Sequence, residues 1–331
     1  MEVNRSIFMK KNKQQEILKD ISKNGKERPW REKKIDNLKY AEYLEVLKFK
    51  KAFNVKDCAE VLEFKPTDTG HLKLYRTWFC KSKLCPLCNW RKSMRQTNQT
   101  IQILEEVIKR HPKARFLFLT LTTKNAVDGS DLKNKLTEMT NAFRKMMMYK
   151  KINKNLIGFL RTTEVTVNKK DGTYNQHMHV LICVNQKFFK GKENYINQKE
   201  WTEFWKRALK INYTPIVHVQ SVKENKKKDT EIISAVKETA KYSVKSSDYL
   251  KNNFDKNLKV VEDLEIGLYA KRLISYGKLF KTIHKELNLE DEENLNLIQT
   301  DDKDEISDEE ILANSIVAKW NYKKQNYFYE K

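Results

Sequence analysis

The chain has 331 residues and a net charge of +22, and this charge is unevenly distributed along the sequence. Residues 1–250 hold 53 basic and 27 acidic side chains, whereas residues 251–331 hold 13 basic and 17 acidic ones. No apolar run approaches the roughly 20 residues of a membrane span, and the first residues lack the pattern of a signal peptide, so we expect a cytoplasmic protein without a membrane contact. The positive charge favours a polyanion as partner, most simply nucleic acid, over a lysine-rich surface that is only solvated.

Residues 1–55 are predicted to form a charged, helical N-terminal extension. Two segments within it have helical patterns, QQEILKDISK (14–23) and LKYAEYLEVLKFKKAF (38–53). Little turn chemistry separates these segments, and no motif in them indicates a function.

Four of the five cysteines fall in the next segment, residues 56–112. They are Cys58, Cys80, Cys85 and Cys88. The last two have the two-residue spacing that lets two thiolates reach one tetrahedral zinc. Because a disulfide framework is not expected in a cytosolic chain, we interpret the four as ligands of a structural zinc, with scattered structural thiols as the alternative. His71 could replace Cys58 as the fourth ligand, and Cys183 is expected to be a core residue.

Basic residues follow the cysteine pair directly. Arg91, Lys92 and Arg95 recur at helical spacing, and a helix is predicted over 93–110, before His111-Pro112. Upstream, HLKLYRTWF (71–79) is predicted to be a short strand. We therefore expect residues 56–112 to form a zinc-binding and DNA-binding module in which these three basic side chains contact DNA.

Residues 113–250 alternate between the two types of secondary structure. Strands are predicted over 114–123, 156–168, 177–184 and 216–222, and helices over 131–149, around Trp201–Leu209 and over 230–247. The order β-α-β-β-α-β is that of a ferredoxin-like, split βαβ fold, an α+β class with an antiparallel sheet and helices on one face. Residues 251–289 are predicted to be a helical C-terminal segment. Residues 290–331 are predicted to be an acidic linker, with eleven acidic groups against one lysine over 290–310, followed by a terminal helix near Trp320.

The stretch HMHVLICV (177–184) begins with two histidines on the same face of a strand, because strand residues alternate faces. Asp171-Gly172 marks a hairpin turn, and a turn centred between them places Glu164 opposite His179. Two imidazoles and one carboxylate on a common face suit a divalent ion such as Mg²⁺ or Mn²⁺. A register error of one residue would turn the carboxylate away, and a half-exposed histidine pair at a strand end is the alternative.

The predicted helix over 230–247 carries a second group of reactive side chains. Glu238, Tyr242 and Lys245 share a face of this helix with Tyr249, away from its apolar stripe. A phenol, a carboxylate and an ammonium together suggest a nucleophile with a nearby base and a phosphate-binding cation. Free phenol ionises near pH 10, so a metal that polarises the substrate is needed more than a strong base.

Taken in order, these motifs resemble the rolling-circle replication initiators of small Gram-positive plasmids, replication protein family 1 of the HUH endonucleases. FLTLTTKN (118–125) resembles the family's first motif, HMHVLI (177–182) its metal-binding motif, and ETAKYSVKSSDY (238–249) the motif with the nicking tyrosine. CPLCNWRKS and KRLISYGKLFK resemble flanking segments, so that the resemblance covers roughly residues 55–285. Asn125, at the end of the first motif, is assigned to DNA binding.

The resemblance implies an HUH nicking core and an HUH single-strand endonuclease and strand transferase. Tyr242 would attack a phosphodiester of the plasmid double-strand origin, leaving a 5′-phosphotyrosyl link and a 3′-OH primer, and Glu238 would activate the water that ends the cycle. The expected cofactors are Mn²⁺ or Mg²⁺ and structural zinc, and the expected partners are origin DNA, a host helicase and a polymerase. The alternatives are a conjugative relaxase, an HUH single-strand transposase, and a non-enzymatic zinc-containing DNA-binding protein.

Overall fold

The computed structural model describes residues 15–22, 25–67, 71–222, 244–250, 253–300 and 314–330, which form an α+β fold with two antiparallel five-stranded sheets. The strands are β1 (Gln15–Ile17), β2 (Val61–Pro66), β3 (Leu72–Arg76), β4 (Arg115–Thr122), β5 (Leu156–Val167), β6 (Tyr174–Val184), β7 (Val217–Val222), β8 (Ile274–Lys278), β9 (Ile316–Asn321) and β10 (Asn326–Glu330). The helices are α1 (Trp30–Val46), α2 (Ala52–Lys56), α3 (Pro86–Arg110), α4 (Gly129–Met147), α5 (Lys150–Asn153), α6 (Gln198–Leu209), α7 (Ser246–Tyr249), α8 (Phe254–Leu268) and α9 (Leu279–Glu286). None of these helices is long and apolar enough to cross a membrane.

The central sheet has the strand order β7-β4-β6-β5-β8, with every neighbouring pair antiparallel. Its first four strands in the chain are connected as β4-α4-β5-β6-α6-β7, which is the predicted β-α-β-β-α-β order. The fifth strand, β8, extends the sheet beyond β5 and was not predicted, because KRLISYGKLFK was assigned to a helical segment. Antiparallel order puts β6 between β4 and β5, so the two histidines lie on an interior strand.

The β5–β6 hairpin has a different register from the predicted one. Glu164 pairs with His177, and Thr162 pairs with His179, two residues away from the expected partners. The loop is longer than a two-residue turn, because Asn168 N donates to the carbonyl of Thr173 across it. Gly172 adopts φ +76° within this loop, a conformation that costs glycine little. A shift by an even number of residues keeps the side chains on the predicted face, so Glu164 still faces both histidines.

Helices α4 and α6 cover one face of the central sheet, as their apolar spacing predicts. Met139, Phe143, Trp201 and Trp205 from these helices pack on sheet residues such as Val180. Each helix has a local start signal, since the Asp128 carboxylate accepts from Asp131 N and Asn197 forms a capping box with Glu200. The burial of large apolar side chains here is the main stabilisation of this layer.

The opposite face of the sheet is also covered at one end, which corrects the expectation of helices on one face only. The C-terminal half of α3 and helix α9 pack there, with Leu104, Phe116, Leu181, Cys183 and Ile283 in a common cluster. Cys183 is thus the core residue that the sequence predicts. The other end of this face carries the polar residues of the candidate site.

The second sheet joins the two ends of the chain in the order β1-β10-β9-β2-β3. Two predictions are therefore wrong: Gln15–Ile17, within the first predicted helical patch, is a strand, and the terminal helix near Trp320 is the β9–β10 hairpin. Short apolar runs fit either type of structure, and the strand is selected here by partners more than 200 residues away.

Candidate metal centre and cysteine cluster

The first candidate site lies on the face of the central sheet that also carries Leu181 and Cys183. Glu164 projects from β5, and His177 and His179 project from the neighbouring strand β6. Strand alternation brings all three side chains to one face, and the central position of β6 leaves them little access to solvent. Glu164 and His179 are each 7% exposed, and His177 is partly exposed.

The three side chains converge on one carboxylate oxygen. The Nε2 atoms of His177 and His179 each lie 3.0 Å from Oε2 of Glu164, and the two rings are 4.8 Å apart and nearly perpendicular. Burial alone would raise the pKa of Glu164, but the hydrogen bonds from the two histidines outweigh it and hold that pKa well below its usual value. The carboxylate is therefore ionised, as a metal ligand must be.

Further contacts fix the orientation of His179. Its Nδ1 lies 3.3 Å from the hydroxyl of Thr120 on β4, and the Phe118 ring stacks on it with centroids 5.5 Å apart. When a metal-binding histidine uses one nitrogen as ligand, its second nitrogen is commonly held by a polar group of this kind. Thr120 and Phe118 both lie in FLTLTTKN. The sequence pattern of this motif did not predict its contacts with His179.

The donor atoms fit a divalent cation. One carboxylate oxygen and two imidazole nitrogens lie within 4.8 Å of one another. Neighbouring ligands of an octahedral ion at about 2.1 Å lie about 3.0 Å apart, which is the distance from each nitrogen to the carboxylate oxygen here. Three protein ligands leave positions for water or phosphate oxygens. The group could therefore hold Mg²⁺ or Mn²⁺.

Lys245 adds a positive charge at the edge of this group. Its Nζ lies 3.7 Å from Oε1 of Glu164, the carboxylate oxygen that does not contact the histidines. The segment 244–250 is held in place on both sides of this contact, because Val244 is buried and the Ser246 hydroxyl donates to Asp36. The predicted phosphate-binding cation is thus brought to the predicted metal ligands.

The prediction of one continuous helix through Lys245 is wrong at that residue. Lys245 has extended backbone angles, φ −81° and ψ 137°, and caps the separate short helix α7. Tyr249 is fully buried and its hydroxyl donates to the carbonyl of Leu84, while burial raises its pKa well above the ordinary value. A buried, protonated phenol is a poor nucleophile, so Tyr249 is a structural residue here. Glu238 and Tyr242 lie outside the described residues.

The second candidate site is formed by the four predicted cysteines. The Sγ atoms of Cys58 and Cys80 each lie 3.6 Å from that of Cys88, and those of Cys58 and Cys85 lie 3.7 Å apart. Ligands of a tetrahedral zinc with Zn–S of about 2.3 Å lie about 3.8 Å apart, so the cluster has the size of a zinc site. The fourth position is occupied by Cys58, and among the described residues His71 is not part of the group.

The surroundings of the cysteine cluster place N–H donors beside two of the sulfurs. Asn37 Nδ2 lies 3.4 Å from the Cys85 sulfur, and Cys80 N lies 3.4 Å from that of Cys58. Burial raises the pKa of Cys58 and Cys88, whereas contacts with the neighbouring cysteines outweigh burial at Cys85 and lower its pKa. The cluster could therefore bind zinc, and it lies in the core beneath α1 and α3.

The predicted DNA-binding residues of α3 have partners within the protein. Arg91 is fully buried and donates to the carbonyls of Leu297 and Ile298. Lys92 and Arg95 form ion pairs of 3.0 Å with Glu292 and Glu290. In this conformation the three cations hold residues 290–298 on α3, and Arg91 in particular is inaccessible to DNA.

Two other assignments are affected by these observations. Residues 290–298 pack on α3 with Leu295 and Leu297 buried, so this part of the predicted linker is docked on the protein by one side. Asn125 is partly exposed and donates to the Thr173 hydroxyl in the hairpin loop, which places it beside the strand ends and leaves its role in DNA binding a prediction.

Comparisons with known proteins identify the family of the chain. Residues 71–328 match the model of a family described as Replication protein. The chain is 52% identical over 314 residues to a Protein rep of Lactiplantibacillus plantarum, covering 95% of this chain and 99% of the relative. A Protein rep of Lentilactobacillus hilgardii is 55% identical over 313 residues, covering 94% and 98%, and a Replication protein of Staphylococcus aureus is 54% identical over 235 residues, covering 71% and 99%. No solved structure matches the chain.

These matches define a class of protein that acts in replication. The chain belongs to this replication protein family, because the family model covers most of its length. This confirms the resemblance to plasmid replication initiators that the three sequence motifs indicate.

Proposed function

We propose that this replication protein initiates rolling-circle replication of a plasmid by nicking one strand of the double-strand origin. The observation that carries the proposal is the convergence of Glu164, His177, His179 and Lys245 on one face of an antiparallel sheet. A site with three metal ligands, open coordination positions and an adjacent ammonium suits a substrate with a phosphate group. The β-α-β-β-α-β connection beneath it supports an HUH endonuclease core.

The nucleophile of this reaction would be Tyr242. It lies three residues before Lys245, so its Cα is within about 10 Å of the Lys245 Cα even in a fully extended chain. Lys245 is itself in contact with the metal ligand Glu164. Tyr249, the other tyrosine considered as nucleophile, is buried and its hydroxyl donates to a backbone carbonyl.

The nicking step exchanges one phosphate ester for another. The Tyr242 hydroxyl loses its proton to water and its oxygen forms a bond to phosphorus. The bond from phosphorus to the 3′ oxygen breaks, and that oxygen takes up a proton from water to become the primer 3′-OH. A divalent cation held by Glu164, His177 and His179 would polarise the scissile phosphate. Lys245 would neutralise a non-bridging oxygen, since its ammonium lies beside the same carboxylate.

Termination requires a different nucleophile. Cleavage of a phosphodiester by water is effectively irreversible. Cleavage by tyrosine is reversible, because the phosphotyrosyl bond can be attacked by a 3′-OH to join strands. Glu238 lies four residues before Tyr242 and would accept the proton of that water. The origin, a host helicase and a polymerase are the partners this cycle requires, and the cysteine cluster with bound zinc would stabilise the N-terminal part of the structure.

A conjugative relaxase or a single-strand transposase would use the same metal and tyrosine. The names of the relatives, Protein rep and Replication protein, favour replication over these alternatives. A non-enzymatic zinc-containing DNA-binding protein would not explain why the Nε2 atoms of His177 and His179 each lie 3.0 Å from Oε2 of Glu164.

The test is a denaturing gel of protein mixed with labelled single-stranded origin DNA and Mn²⁺. Tyr242→Phe should form no covalent adduct while binding the origin as wild type does, because only the hydroxyl is removed. Tyr249→Phe is the matched control and should form the adduct normally. Glu238→Ala should form the adduct and fail to release it by hydrolysis. An adduct that persists in Tyr242→Phe refutes the assignment of the nucleophile.

A further inference from the structure

A large cleft lies at the β8 edge of the central sheet, and its lining includes residues from both faces of that edge. Its volume is about 960 Å³, and it is bounded by α4, β8, α9 and residues 288–295. Strand β5 contributes Arg161 and Thr163 to the cleft, whereas the alternate residues Thr162 and Glu164 face the metal centre. The cleft is therefore a separate surface that shares one strand with the candidate active site.

The wall of the cleft contains a buried arginine without a counter-ion. Arg161 is 3% exposed, and its Nε, Nη1 and Nη2 donate to the hydroxyls of Ser275 and Thr163 and to the carbonyl of Arg272. All three acceptors are neutral, and in the part of the chain that the structure describes no carboxylate lies within ion-pair distance of this guanidinium. A guanidinium has five N–H donors, so two remain for a ligand.

The electrostatic cost of this arrangement is visible in the pKa of Arg161. Burial lowers that pKa to about 10; attraction to the more distant Glu292 opposes this shift, and repulsion from Arg144 and Arg272 adds to it. A buried charge of this kind is costly unless an opposite charge compensates it. An anionic ligand in the cleft would supply that charge, and phosphate matches the planar, forked donors of arginine.

The rest of the cleft also has an excess of positive charge. Its other cations are Arg144, Lys271, Arg272, Lys281 and Lys285. The acidic residues at its rim are already paired, since Glu290, Asp291 and Glu292 contact Arg95, Arg272 and Lys92. Arg144, Lys281 and Lys285 are exposed and form no ion pair among the described residues.

We propose that this cleft binds the phosphates of single-stranded DNA at a distance from the nick; the choice of DNA rests on the proposed function. A duplex is too broad to bring its phosphates to an arginine that is 3% exposed, whereas a single strand can enter a cleft of this volume. The contact is with the phosphates, because the lining rings of Phe159 and Tyr276 already pack on Phe143 and His284. Since Glu164 faces the other side of β5, DNA held here does not compete for the metal centre.

The test uses exposed residues, whose substitution leaves the core intact. Arg144→Gln, Lys281→Gln and Lys285→Gln are combined in one variant of the full chain. The matched control combines Lys187→Gln, Lys190→Gln and Lys192→Gln, exposed residues of the loop after β6 that remove the same charge away from the cleft. Binding of a labelled oligothymidylate is measured by fluorescence anisotropy across a range of salt concentrations.

The cleft variant should lose about 0.7 from the log–log salt slope for each phosphate contact removed, hence about two units for three contacts. At 0.1 M salt this corresponds to a loss of affinity on the order of 100-fold. The control should retain most of the wild-type slope. Equal losses in the two variants, or an equal loss of affinity for duplex DNA, would overturn the proposal.

A further variant, Arg161→Gln, addresses the buried position directly. It should weaken oligothymidylate binding. Its melting temperature should fall, because the hydroxyls of Ser275 and Thr163 and the carbonyl of Arg272 lose a donor, so circular dichroism is used to show that the variant is folded at the temperature of the assay. Wild-type affinity in a folded Arg161→Gln protein contradicts the assignment. Nicking of a short origin oligonucleotide is measured in parallel and should be unchanged in the cleft variants. Absence of nicking in the wild type would count against the proposed function and leave the binding result intact.

Discussion

The cysteine cluster offers a direct test of the structure, through the substitution Cys85→Ser. The Cys85 sulfur is completely buried, and it lies 3.7 Å from the Cys58 sulfur, so a serine there leaves three thiols in a site sized for four zinc ligands. Binding of zinc to a structural site of this type contributes about 10–16 kcal/mol of apparent free energy. The net stability of a whole domain is only about 5–15 kcal/mol. Losing the metal should therefore unfold the region around residues 58–95 locally.

The assay combines metal analysis with hydrogen exchange measured by mass spectrometry. Wild type should contain one zinc per chain, and Cys85→Ser should contain none and exchange rapidly over β2, β3 and the start of α3. Cys183→Ser is the matched control, because Cys183 is equally buried but lies in the central sheet. It should keep its zinc and lose about 1–3 kcal/mol of stability from an unpaired hydroxyl. Wild type without zinc, or Cys85→Ser with a full equivalent, would falsify the zinc assignment.

Three further predictions concern other contacts. His179→Ala should reduce nicking by about 100-fold or more, equivalent to roughly 3 kcal/mol, and leave duplex binding intact. Full nicking by this variant with Mn²⁺ would show that His179 is not a metal ligand. Tyr249→Phe should lower the free energy of unfolding by about 1–3 kcal/mol, since the Leu84 carbonyl loses its donor, and a loss of adduct formation instead would make Tyr249 catalytic. Glu292→Gln should lower the free energy of unfolding by about 1–3 kcal/mol relative to the exposed control Glu293→Gln, because it breaks the ion pair with Lys92. Equal melting temperatures of the two variants would show that this ion pair does not hold residues 290–298.

The elements with a strong local pattern could be predicted from the sequence. Helix α4 has apolar residues at spacings of three and four and an aspartate cap, and its observed bounds differ from the predicted ones by two residues at each end. Strands β4 to β7 are bounded by turn residues and were placed within three residues at their ends. Local signals suffice here because the β-α-β-β-α-β unit is assembled from segments that are near neighbours in the sequence.

The errors fall where a distant partner decides the structure. Strand β1 pairs with β10 at the other end of the chain, and no local feature of Gln15–Ile17 distinguishes it from a helical turn. Arg91 illustrates the same limit for a side chain. Its sequence context is that of an exposed basic helix, but residues about 200 positions away cover it and accept its hydrogen bonds.

The convergence of Glu164, His177 and His179 was predicted despite a wrong register, and the reason is physical. The argument needed only that Glu164, His177 and His179 share a face, and face depends on whether the shift is odd or even. The observed shift of two residues exchanges the cross-strand partner of Glu164 from His179 to His177 while both histidines remain within 3.0 Å of its carboxylate. Whether the register shift was odd or even therefore decided whether the three side chains meet.

The same carboxylate connects the two parts of the candidate site. Oε2 of Glu164 contacts both histidines, and Oε1 contacts Lys245, which lies on the segment that follows Tyr242. A cation bound at Oε2 would reduce the attraction between Glu164 and Lys245, because part of the carboxylate charge would then be neutralised. The ammonium would become more available to a phosphate oxygen at the moment when the metal is present. Glu164 would in this way make the contact between Lys245 and DNA depend on metal binding.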